Sequence, residues 1–498
     1  MLKEVRVRNA PSPTGFLHIG GIRTFLYNYL FARKNNGKYI LRIEDTDQAR
    51  LIAGSLENIV QSLADLGISA DEGPYWDNGL KTRGDKGPYV QSERLDLYKK
   101  YAQELVDKKF AYYCFCSAKR LEELRNDQEA KKFPPKYDKR CLNLSPDEIA
   151  KKISSNESHV IRLNVQPDQM IEFHDLVYGD IKISSNEIDD QILLKSDGFP
   201  TYHLAVVVDD YLMQISHVIR ANEWIPSTPK HILLYKAFGW DLPEFVHLPP
   251  ILSKKTGKKL AKREGDVAVA AFLEKGYLPA AIINFLALLG WNPKTEQEIF
   301  SLTELVNEFS FDKLHKSGAI FDLDKLDWFN SVYIRKLKID ELLVLCLPYL
   351  IKAGIKIDRY PKNFIQKILT LEQERLKKLS EIGDRVKYFF QEQDYEAQLL
   401  IWKKTDKQTI LKNLNSLQKF LQSLPGQKFA EDALEQEIKK FLEEKNIRTG
   451  EALWPLRVAL TGLEASPGPF EIMDAFGILP DGKEIILQRI NKAIEKLF

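Results

Sequence analysis

Residues 8–20, RNAPSPTGFLHIG, constrain the fold most, because they join a short β-like run to a long helical run. Proline, serine, threonine and glycine form the turn that precedes a helix expected over 17–35. His18, Gly20 and Gly21 stand where that helix begins. The N–H groups and dipole of a helix N-terminus favour an anion, and glycines let the backbone approach it closely. This junction therefore predicts a binding site for a polyphosphate.

A second stretch, KKLAKREG at 258–265, packs lysines and an arginine into a loop flanked by glycines. A lysine run alone is typical of a solvated loop. Combined with the junction upstream, this run instead indicates mobile cations, Lys259 and Lys262 among them, that face bound phosphates.

The first 90 residues follow a strand–turn–helix–strand pattern, with strands expected at 5–8 and 39–43. Short apolar strands that alternate with helices predict a parallel sheet. Ligands of such sheets bind beyond the carboxyl ends of the strands. The polar residues expected at that edge are Arg8, His18, Glu44 and Asp45.

Residues 93–195 interrupt this pattern with a Lys/Glu-rich helix at 121–132 and short strands at 160–165 and 179–183. We interpret them as an insertion between two halves of the sheet. The sheet is expected to resume at 201–208, a β-branched run that suits a buried strand.

The helical period dominates the C-terminal third of the chain. Residues 335–498 consist almost wholly of predicted amphipathic helices with Lys/Glu faces, such as 434–446. The expected fold class is therefore α/β, a Rossmann-type parallel sheet split by an α+β insertion and followed by an all-α region.

Composition narrows the class of protein. The 498 residues suffice for about three to five domains, and 44% hydrophobic and 29% charged residues are ordinary for a soluble globular protein. The apolar runs fall short of the ~20 residues that a membrane span needs, and the N-terminus lacks the apolar core of a signal peptide. Four cysteines do not make a disulfide framework here, so a reducing, cytoplasmic location without membrane contact is expected. The net charge of +2 neither demands nor excludes a nucleic-acid partner.

Seven motifs, in one order along essentially the whole chain, resemble those of bacterial-type glutamyl-tRNA synthetases. APSPTG…HIGG, within 10–21, is similar to the first signature of class I aminoacyl-tRNA synthetases in its glutamyl form, and KKLAKR at 258–263 is similar to the second. The other matching segments are RIEDTD (42–47), GPYVQSERLDLY (87–98), LLKSDGFPTYHLAVVVDD (193–210), VIRANEW (218–224) and ALTGLEASPG (459–468).

The resemblance implies a glutamate–tRNA ligase that uses ATP and Mg²⁺. The carboxylate of L-glutamate attacks the α-phosphorus of ATP to give glutamyl-adenylate and pyrophosphate, and the 3′-terminal adenosine of tRNA(Glu) then takes the acyl group. In both steps such an enzyme mainly positions reactants and stabilises charge. The family generally requires bound tRNA before it activates glutamate, and a monomer is expected.

For the ATP side, the resemblance implies these catalytic residues: His18, Lys259 and Lys262. The implied ATP-binding residues are His18, Gly20, Gly21, Trp224, Lys259 and Lys262, with Lys195 beside the adenosine. Gly21 stands where other class I enzymes often have a second histidine, as is common in glutamyl enzymes, and Ala261 replaces a serine. The alternative frame LSKK at 252–255 has the serine but lacks the first lysine, so the KKLAKR frame is preferred.

For the amino acid, the resemblance points to five residues, Arg8, Ser12, Glu44, Tyr202 and Arg220. A side-chain carboxylate is best bound by the paired N–H groups of a guanidinium, so Arg8 is the first choice for it and Arg220 the second. Glu44 suits the ammonium group. The alternative role for Arg220 is a structural ion pair with Glu223.

Most other histidines show no partner pattern and are expected to be structural. They are His174, His217, His231, His247 and His315. His203 follows Tyr202 in a motif and is expected to line the site. No Ser/His/Asp order typical of a hydrolase stands out, so no editing site is predicted.

Cys114, Cys116 and Cys141 raise the question of a metal. Their spacing resembles the zinc knuckle in the insertion domain of some glutamyl-tRNA synthetases, where a histidine two positions beyond the last cysteine is the fourth ligand. Asn143 stands at that position, and it is a poor ligand for Zn²⁺. Three thiolates with water or with a remote donor such as His159, or loss of the metal with the cysteines retained, are the alternatives.

The resemblance assigns anticodon recognition to the helical C-terminal region, where single-stranded bases are read by stacking and by arginine contacts. Arg375, in TLEQERLKKLSE, resembles the arginine that favours the glutamate anticodon over the glutamine one in some relatives, and a solvated arginine is the alternative. The expected domains are 1–92 and 201–252 (halves of the catalytic domain), 93–200 (acceptor-stem insertion), 253–335 (stem contact, with the KKLAKR loop) and 336–498 (anticodon binding).

Three other functions compete with a ligase that is specific for tRNA(Glu). A non-discriminating enzyme would also glutamylate tRNA(Gln). A truncated relative that glutamylates a modified tRNA base lacks the C-terminal module that 335–498 supplies here. A catalytically dead RNA-binding paralogue would fit Ala261 and Asn143, but the presence of Arg8 and His18 opposes it.

Overall fold

The computed structural model describes residues 4–260, 268–425 and 431–498. The chain divides into two compact units, one of Met1–Phe272 with Ile282–Leu323 and one of Leu273–Ala281 with Asp324–Phe498. Strands and helices alternate in the first unit, whereas the second is helical. Within the described residues, no helix has the length and apolar character that crossing a membrane requires.

The strands all lie in the first unit among the described residues. They are β1 (Arg6–Asn9), β2 (Lys38–Leu41), β3 (Gly73–Trp76), β4 (Leu80–Arg83), β5 (Ala111–Cys114), β6 (Val160–Leu163), β7 (Met170–Asp175), β8 (Gly179–Ser184), β9 (Ile192–Leu194), β10 (His217–Ala221), β11 (Glu244–Leu248), β12 (Ile251–Ser253) and β13 (Ala319–Phe321). The largest sheet has the order β2-β1-β10-β11-β7-β8, and β5-β6-β9, β3-β4 and β12-β13 form smaller sheets.

Helices occur in both units. They are α1 (Ile19–Lys34), α2 (Ser55–Asp65), α3 (Leu95–Asp107), α4 (Ala118–Ala130), α5 (Pro146–Ser154), α6 (Tyr202–Leu212), α7 (Thr228–Phe238), α8 (Val269–Glu274), α9 (Pro279–Ala287), α10 (Leu302–Glu308), α11 (Leu323–Arg335), α12 (Ile339–Lys352), α13 (Lys362–Gln373), α14 (Ile382–Phe390), α15 (Lys407–Ser423), α16 (Glu431–Glu444), α17 (Thr449–Thr461), α18 (Pro469–Gly477) and α19 (Gly482–Lys496).

The large sheet is parallel from β2 through β7, and only β7 and β8 run antiparallel. In the register of β10 and β11, Arg220 lies beside His247. The parallel order places the carboxyl ends of β1, β10 and β11 at one edge of the sheet, where ligands of such sheets bind. The predicted parallel sheet is confirmed.

The helix predicted over 17–35 forms as α1. His18 is its N-cap, and the His18 Nδ1 accepts a hydrogen bond from the Gly20 N–H at 2.9 Å. Arg33 and Lys34 lie in the last turn, where cations favour the negative end of the helix dipole. Because α1 follows the carboxyl end of β1 in the chain, its positive N-terminal end lies at the carboxyl edge of the sheet.

The strand predicted at 201–208 is wrong, because these residues begin helix α6. All residues from Leu204 to Asp210 are buried, since α6 packs against helices α3 and α7 and against β9. Burial on every side removes the apolar periodicity that separates a helix from a strand, and packing overrides the β-branched composition. The sheet resumes at β10 instead.

The strands predicted at 160–165 and 179–183 form as β6 and β8, and the helix at 121–132 forms as α4. They do not stay together in one small sheet. Strand β6 pairs with β5 and β9, whereas β7 and β8 extend the large sheet beyond β11. The segment between 93 and 200 therefore contributes to the sheet that carries the ligand edge.

In the second unit, helices α11–α19 confirm the all-α prediction, and the helix expected at 434–446 is α16. The unit has its own apolar core. Fully buried members include Leu342, Cys346, Phe364, Leu417 and Phe476. Burying each such side chain contributes about 1.5–3 kcal/mol.

Candidate active site

A cavity of about 750 Å³ opens at the carboxyl edge of β1 and β10. The turn after β1, the first turns of α1, the segment after β2 and the start of α6 form its walls. The site residues predicted from sequence that line it are Arg8, Ser12, Gly21, Glu44, Lys195, Tyr202, Arg220 and Trp224. Residues far apart in the chain therefore meet where the sequence predicts a ligand. Gly20, His18 and Lys259 are not among the described residues that line this cavity.

Arg8 is held by Asp210 at one end of the cavity. Nε and Nη2 of Arg8 donate to the two carboxylate oxygens at 2.9 and 3.2 Å. Arg42 also donates to Asp210, at 2.7 Å, and to Glu44 at 3.1 Å. Burial opposes the ionisation of Asp210, yet the two guanidinium groups hold its pKa below the usual value. Burial raises the pKa of Glu44.

Asp209 lies beside this cluster and adds a further negative charge to it. It accepts hydrogen bonds from Arg94 Nε at 2.7 Å and from Gln91 and Tyr98, each at 2.8 Å. All four side chains are buried. The two aspartates at 209–210, inside an otherwise apolar run, were the sequence signal for this network. The network was not predicted from the motif that contains them.

Arg220 has a different environment from Arg8. Its Nε donates to His247 Nε2 at 3.0 Å, and its Nη2 donates to Thr228 Oγ1 at 2.8 Å. Its Nη1 lies 3.2 Å from Tyr202 Oη and 3.3 Å from His231 Nδ1. Among the described residues, no carboxylate contacts this guanidinium, and burial lowers its pKa.

The alternative role of Arg220, an ion pair with Glu223, is not observed among the described contacts, and Glu223 instead contacts the Lys259 ammonium. His231 and His247, which show no partner pattern in the sequence and are expected to be structural, both contact Arg220. Sequence reasoning missed them because they come from α7 and β11, and only the folded chain brings them to β10. His203 Nδ1 lies 3.1 Å from His231 Nε2, so it belongs to the same cluster.

Only part of the phosphate side of the site lies within the described residues. After β12 the chain turns back, so that the Ser253 N–H donates to the Lys258 carbonyl at 2.8 Å. This turn presents Lys259 to Glu223, next to Trp224. Lys262 and Ala261 lie outside the described residues. The rings of Trp224 and Tyr202 contact each other with centroids 4.4 Å apart.

The three cysteines predicted from spacing come together. The thiol sulfurs of Cys114, Cys116 and Cys141 lie within 4.8 Å of one another, and those of Cys116 and Cys141 are 3.6 Å apart. The Tyr137 hydroxyl lies 3.3 Å from the Cys116 sulfur and accepts from the Cys141 N–H at 3.0 Å. His159 does not belong to this cluster among the described residues, and its Nδ1 contacts the Glu157 carbonyl.

Arg375 lies just after α13 in the second unit. Its Nε is 3.9 Å from the carboxylate of Glu372, which is 2% exposed and also lies 3.5 Å from Arg385. About a third of the Arg375 side chain is exposed. The guanidinium of Arg375 therefore lies near a buried carboxylate and is still accessible to a ligand.

Comparisons with known proteins agree along the whole chain. The catalytic domain of the tRNA synthetases class I (E and Q) matches residues 4–328, and an anticodon binding domain matches residues 341–494. The glutamate–tRNA ligase of Finegoldia magna is 44% identical over 504 residues, which cover 99% of this chain and 100% of the relative. That of Clostridium botulinum strain Hall is 45% identical over 500 residues, which cover 100% and 99%.

The chain belongs to the glutamate–tRNA ligases. The crystal structure of a glutamate tRNA ligase from Elizabethkingia meningosepticum, in complex with its amino acid, matches it with a TM-score of 0.90 at 36% identity and covers 100% of both chains. As a glutamate–tRNA ligase, the protein activates L-glutamate with ATP and transfers it to tRNA. The predicted family, fold class and activity are confirmed.

Proposed function

We propose that L-glutamate binds in the cavity with its side-chain carboxylate between Arg220 and Arg8 and its ammonium group at Glu44. The observation that carries this proposal is the environment of Arg220, a buried cation surrounded by neutral groups. Burying an uncompensated charge is costly, and an anionic ligand offsets that cost. Ser12 and Tyr202, which line the same cavity, add polar contacts.

ATP would extend from this cavity along the start of α1, where His18, Gly20 and Gly21 lie. The N-terminal end of α1 favours phosphate oxygens. Lys259 and Lys262 neutralise the pyrophosphate as it leaves, and such contacts typically stabilise a transition state by a few kcal/mol each. Mg²⁺ supplies further neutralisation of the phosphates when it is bound. Trp224 and Lys195 lie beside the adenosine.

The substitution Arg220→Gln tests the glutamate assignment. It removes the uncompensated cation, so the KM for L-glutamate in the charging of tRNA(Glu) should rise at least ~10²-fold, while the KM for ATP changes less than about twofold. Lys236→Gln, on the distal end of α7, is the matched control. If both Michaelis constants rise together, the residue maintains the fold of the cavity and does not bind the carboxylate.

We further propose that residues 93–200 contact the acceptor stem, 253–335 the adjoining stem and 336–498 the anticodon. The catalytic domain is formed by 1–92 and 201–252, and its sheet is extended by β7 and β8 from within 93–200. Arg375 would favour the glutamate anticodon, which makes the enzyme specific for tRNA(Glu) over tRNA(Gln). The partly exposed guanidinium, which lies near the carboxylate of Glu372, supports this role. The enzyme would act as a monomer in the cytoplasm.

The spacing of the three cysteine sulfurs suits a shared Zn²⁺ ion. Sulfurs bound to a tetrahedral zinc ion at ~2.3 Å lie roughly 3.8 Å apart, close to the observed separation between Cys116 and Cys141. That separation is 3.6 Å. The Tyr137 hydroxyl lies 3.3 Å from the Cys116 sulfur and accepts a hydrogen bond from the Cys141 N–H, which makes it a neighbouring oxygen for the fourth position. We propose that these four residues hold zinc, and that Asn143 takes no part.

A further inference from the structure

Asp175, His247 and Arg220 form a buried line of hydrogen bonds behind the glutamate end of the cavity. His247 Nδ1 lies 2.7 Å from Asp175 Oδ2, and His247 Nε2 accepts from Arg220 Nε at 3.0 Å. The side chains of Asp175 and His247 are fully buried, and Arg220 is 6% exposed. They come from β7, β11 and β10, which are neighbours in the large sheet.

The chemistry of these groups fixes where the proton of His247 lies. A guanidinium only donates hydrogen bonds, so Nε2 of His247 must carry a lone pair toward Arg220. The proton is therefore on Nδ1, from which it is donated to the Asp175 carboxylate. The imidazole is neutral, and burial lowers its pKa.

Asp175 is itself fixed by the backbone. Its Oδ1 accepts from the N–H groups of Val177 and Tyr178 at 3.0 and 2.8 Å, and its Oδ2 accepts from the N–H of His247 at 3.0 Å. These bonds keep the carboxylate in place and prevent it from turning toward Arg220. The negative charge is thus separated from the guanidinium by the width of an imidazole ring.

We propose that Asp175 and His247 are positioning residues, which hold Arg220 in a fixed orientation while leaving its positive charge available to the glutamate side chain. A carboxylate in direct contact with Arg220 would neutralise it and repel an anionic substrate. The interposed neutral imidazole supplies the hydrogen bond without the charge. This inference rests on the proposed role of Arg220 in binding the substrate carboxylate.

Arg8 and Arg220 line the same cavity but differ in their surroundings. The charge of Arg8, in direct contact with the Asp210 carboxylate, is partly compensated within the protein, so we expect Arg8 to contribute less than Arg220 to binding of the substrate carboxylate. Arg220 is surrounded on its other sides by neutral acceptors, the Thr228 hydroxyl and the His231 imidazole. His231 accepts from Arg220 through Nδ1 and so donates through Nε2 to His203, which keeps that imidazole neutral as well.

The arrangement also has a consequence for specificity. L-glutamine has the shape of L-glutamate but presents a neutral amide, which gains much less from an uncompensated cation than a carboxylate does. Selection of glutamate over glutamine should therefore depend on the absence of a negative charge next to Arg220. His247 is the residue that keeps that position neutral.

The matched pair His247→Glu and His247→Gln tests the proposal, because the two side chains have the same shape and differ in charge. His247→Gln keeps an acceptor for Arg220, and the KM for L-glutamate should rise less than about fivefold. His247→Glu places a carboxylate against Arg220, so the KM for L-glutamate should rise at least ~30-fold. The selectivity of the enzyme for L-glutamate over L-glutamine should be lost in this variant. The KM for ATP should change less than about twofold in both.

Both variants are measured as full-length enzyme with a tRNA(Glu) transcript, and thermal unfolding monitors their folding. Equal KM values for the two variants would overturn the proposal, because the charge would then be irrelevant. If both His247 variants keep the wild-type KM for L-glutamate while Arg220→Gln raises it, the positioning role of His247 fails and the assignment of Arg220 to glutamate binding stands. If Arg220→Gln has no effect either, the glutamate assignment itself fails.

Asp175→Asn is the second variant, for the case in which His247→Glu does not fold. An amide anchors the Nδ1 proton less firmly than a carboxylate, so the orientation of the imidazole is less well fixed. The KM for L-glutamate should rise at least ~10-fold, with the KM for ATP unchanged. An unchanged KM for L-glutamate in this variant would overturn the positioning role of Asp175.

Discussion

Arg8 and Asp210 form a buried ion pair in which Nε and Nη2 of the guanidinium donate to the two carboxylate oxygens at 2.9 and 3.2 Å. Arg8 therefore serves two purposes in the proposed site. It faces the ligand cavity, and it is one of two guanidinium groups that compensate Asp210, the other being Arg42.

The first prediction concerns Arg8→Ala. The KM for L-glutamate should rise at least ~10-fold, and the free energy of unfolding should fall by about 3–5 kcal/mol, because Asp210 loses half of its compensation inside the protein. Steady-state charging and urea unfolding measure the two effects. An unchanged KM with a lowered stability would leave the substrate carboxylate to Arg220 alone.

The same variant should change the response to acid. In the wild type the pKa of Asp210 is depressed, so its ionised form stabilises the protein above the unfolded pKa, and this stability is lost as the pH falls through the folded pKa. Without Arg8 the depression is smaller, and the acid unfolding midpoint should move to higher pH. Arg33→Ala, which breaks a pair with Asp71 in which each side chain is a little over a quarter exposed, is the control and should move the midpoint less.

A second pH effect should come from the histidine cluster. Burial, with Lys230 and Arg220 nearby, lowers the pKa of His203 to about 3, and the pKa values of His231 and His247 are also lowered. These imidazoles stay neutral in the folded protein but take up protons below ~6.5 when it unfolds, so their stabilisation is present above that pH and is lost as the pH falls.

We therefore expect the free energy of unfolding to decrease between pH 7.0 and 5.5, by up to about 1.4 kcal/mol per pH unit for each imidazole. Urea unfolding at several pH values measures the slope. His203→Gln should make it shallower, whereas His315→Gln serves as the control. A slope that His203→Gln leaves unchanged would show that this imidazole does not stay neutral in the folded protein.

The lysine loop should act on rate rather than on tRNA binding. Lys262→Ala, like Lys259→Ala, should lower the rate of glutamate activation at least ~10²-fold with tRNA affinity nearly unchanged, because the cation acts on the leaving pyrophosphate. Lys254→Ala, which breaks a surface pair with Asp322, is the control. A proportional loss of rate and tRNA affinity would identify the loop as an RNA contact instead. Pyrophosphate exchange in the presence of tRNA measures the rate.

The metal proposal predicts about one Zn²⁺ per chain in protein purified from zinc-supplemented medium. Cys116→Ser should abolish binding, and Tyr137→Phe should weaken it, since the hydroxyl is lost with little change in shape. Cys346→Ser changes a thiol that is buried elsewhere and should leave the metal content unaltered. Elemental analysis of the purified variants decides the point. Wild-type protein without metal would mean that the cysteines are retained without zinc.

Arg375→Gln should reduce the preference for tRNA(Glu) over tRNA(Gln), through loss of a contact with an anticodon base worth about 1–2 kcal/mol. Arg385 shares the same carboxylate, so Arg385→Gln is the matched control and should leave the preference intact. Charging of both transcripts by each variant gives the ratio. If the two variants behave alike, the effect comes from the loss of a partner for Glu372 and not from base recognition.

The sequence predicted local structure correctly where a short segment alone determines it. The turn before α1 and its histidine cap predict the helix start, and the spacing of Cys114 and Cys116 predicts their proximity. The strand expected at 201–208 failed because a fully buried run has no periodic face. Tyr137 was missed because nothing in its local sequence marks it as a neighbour of the cysteines.

The environment of Arg220 was beyond sequence reasoning for a similar reason. Its partners His247 and His231 lie 27 and 11 residues away along the chain, on separate elements. The order of strands in the sheet brings them together, and an isolated histidine gives no sign of that order. A motif thus identified the arginine, but only the fold shows why its charge is left available.

The most direct test of the account is the charging of purified tRNA(Glu) and tRNA(Gln) transcripts with radiolabelled L-glutamate, side by side, by the wild-type enzyme with excess ATP and Mg²⁺. We predict stable glutamylation of tRNA(Glu) and none of tRNA(Gln). Charging of both transcripts would contradict the specificity assigned to Arg375 and indicate an enzyme that also supplies a downstream amidation of glutamyl-tRNA(Gln). Charging of neither would contradict the account as a whole.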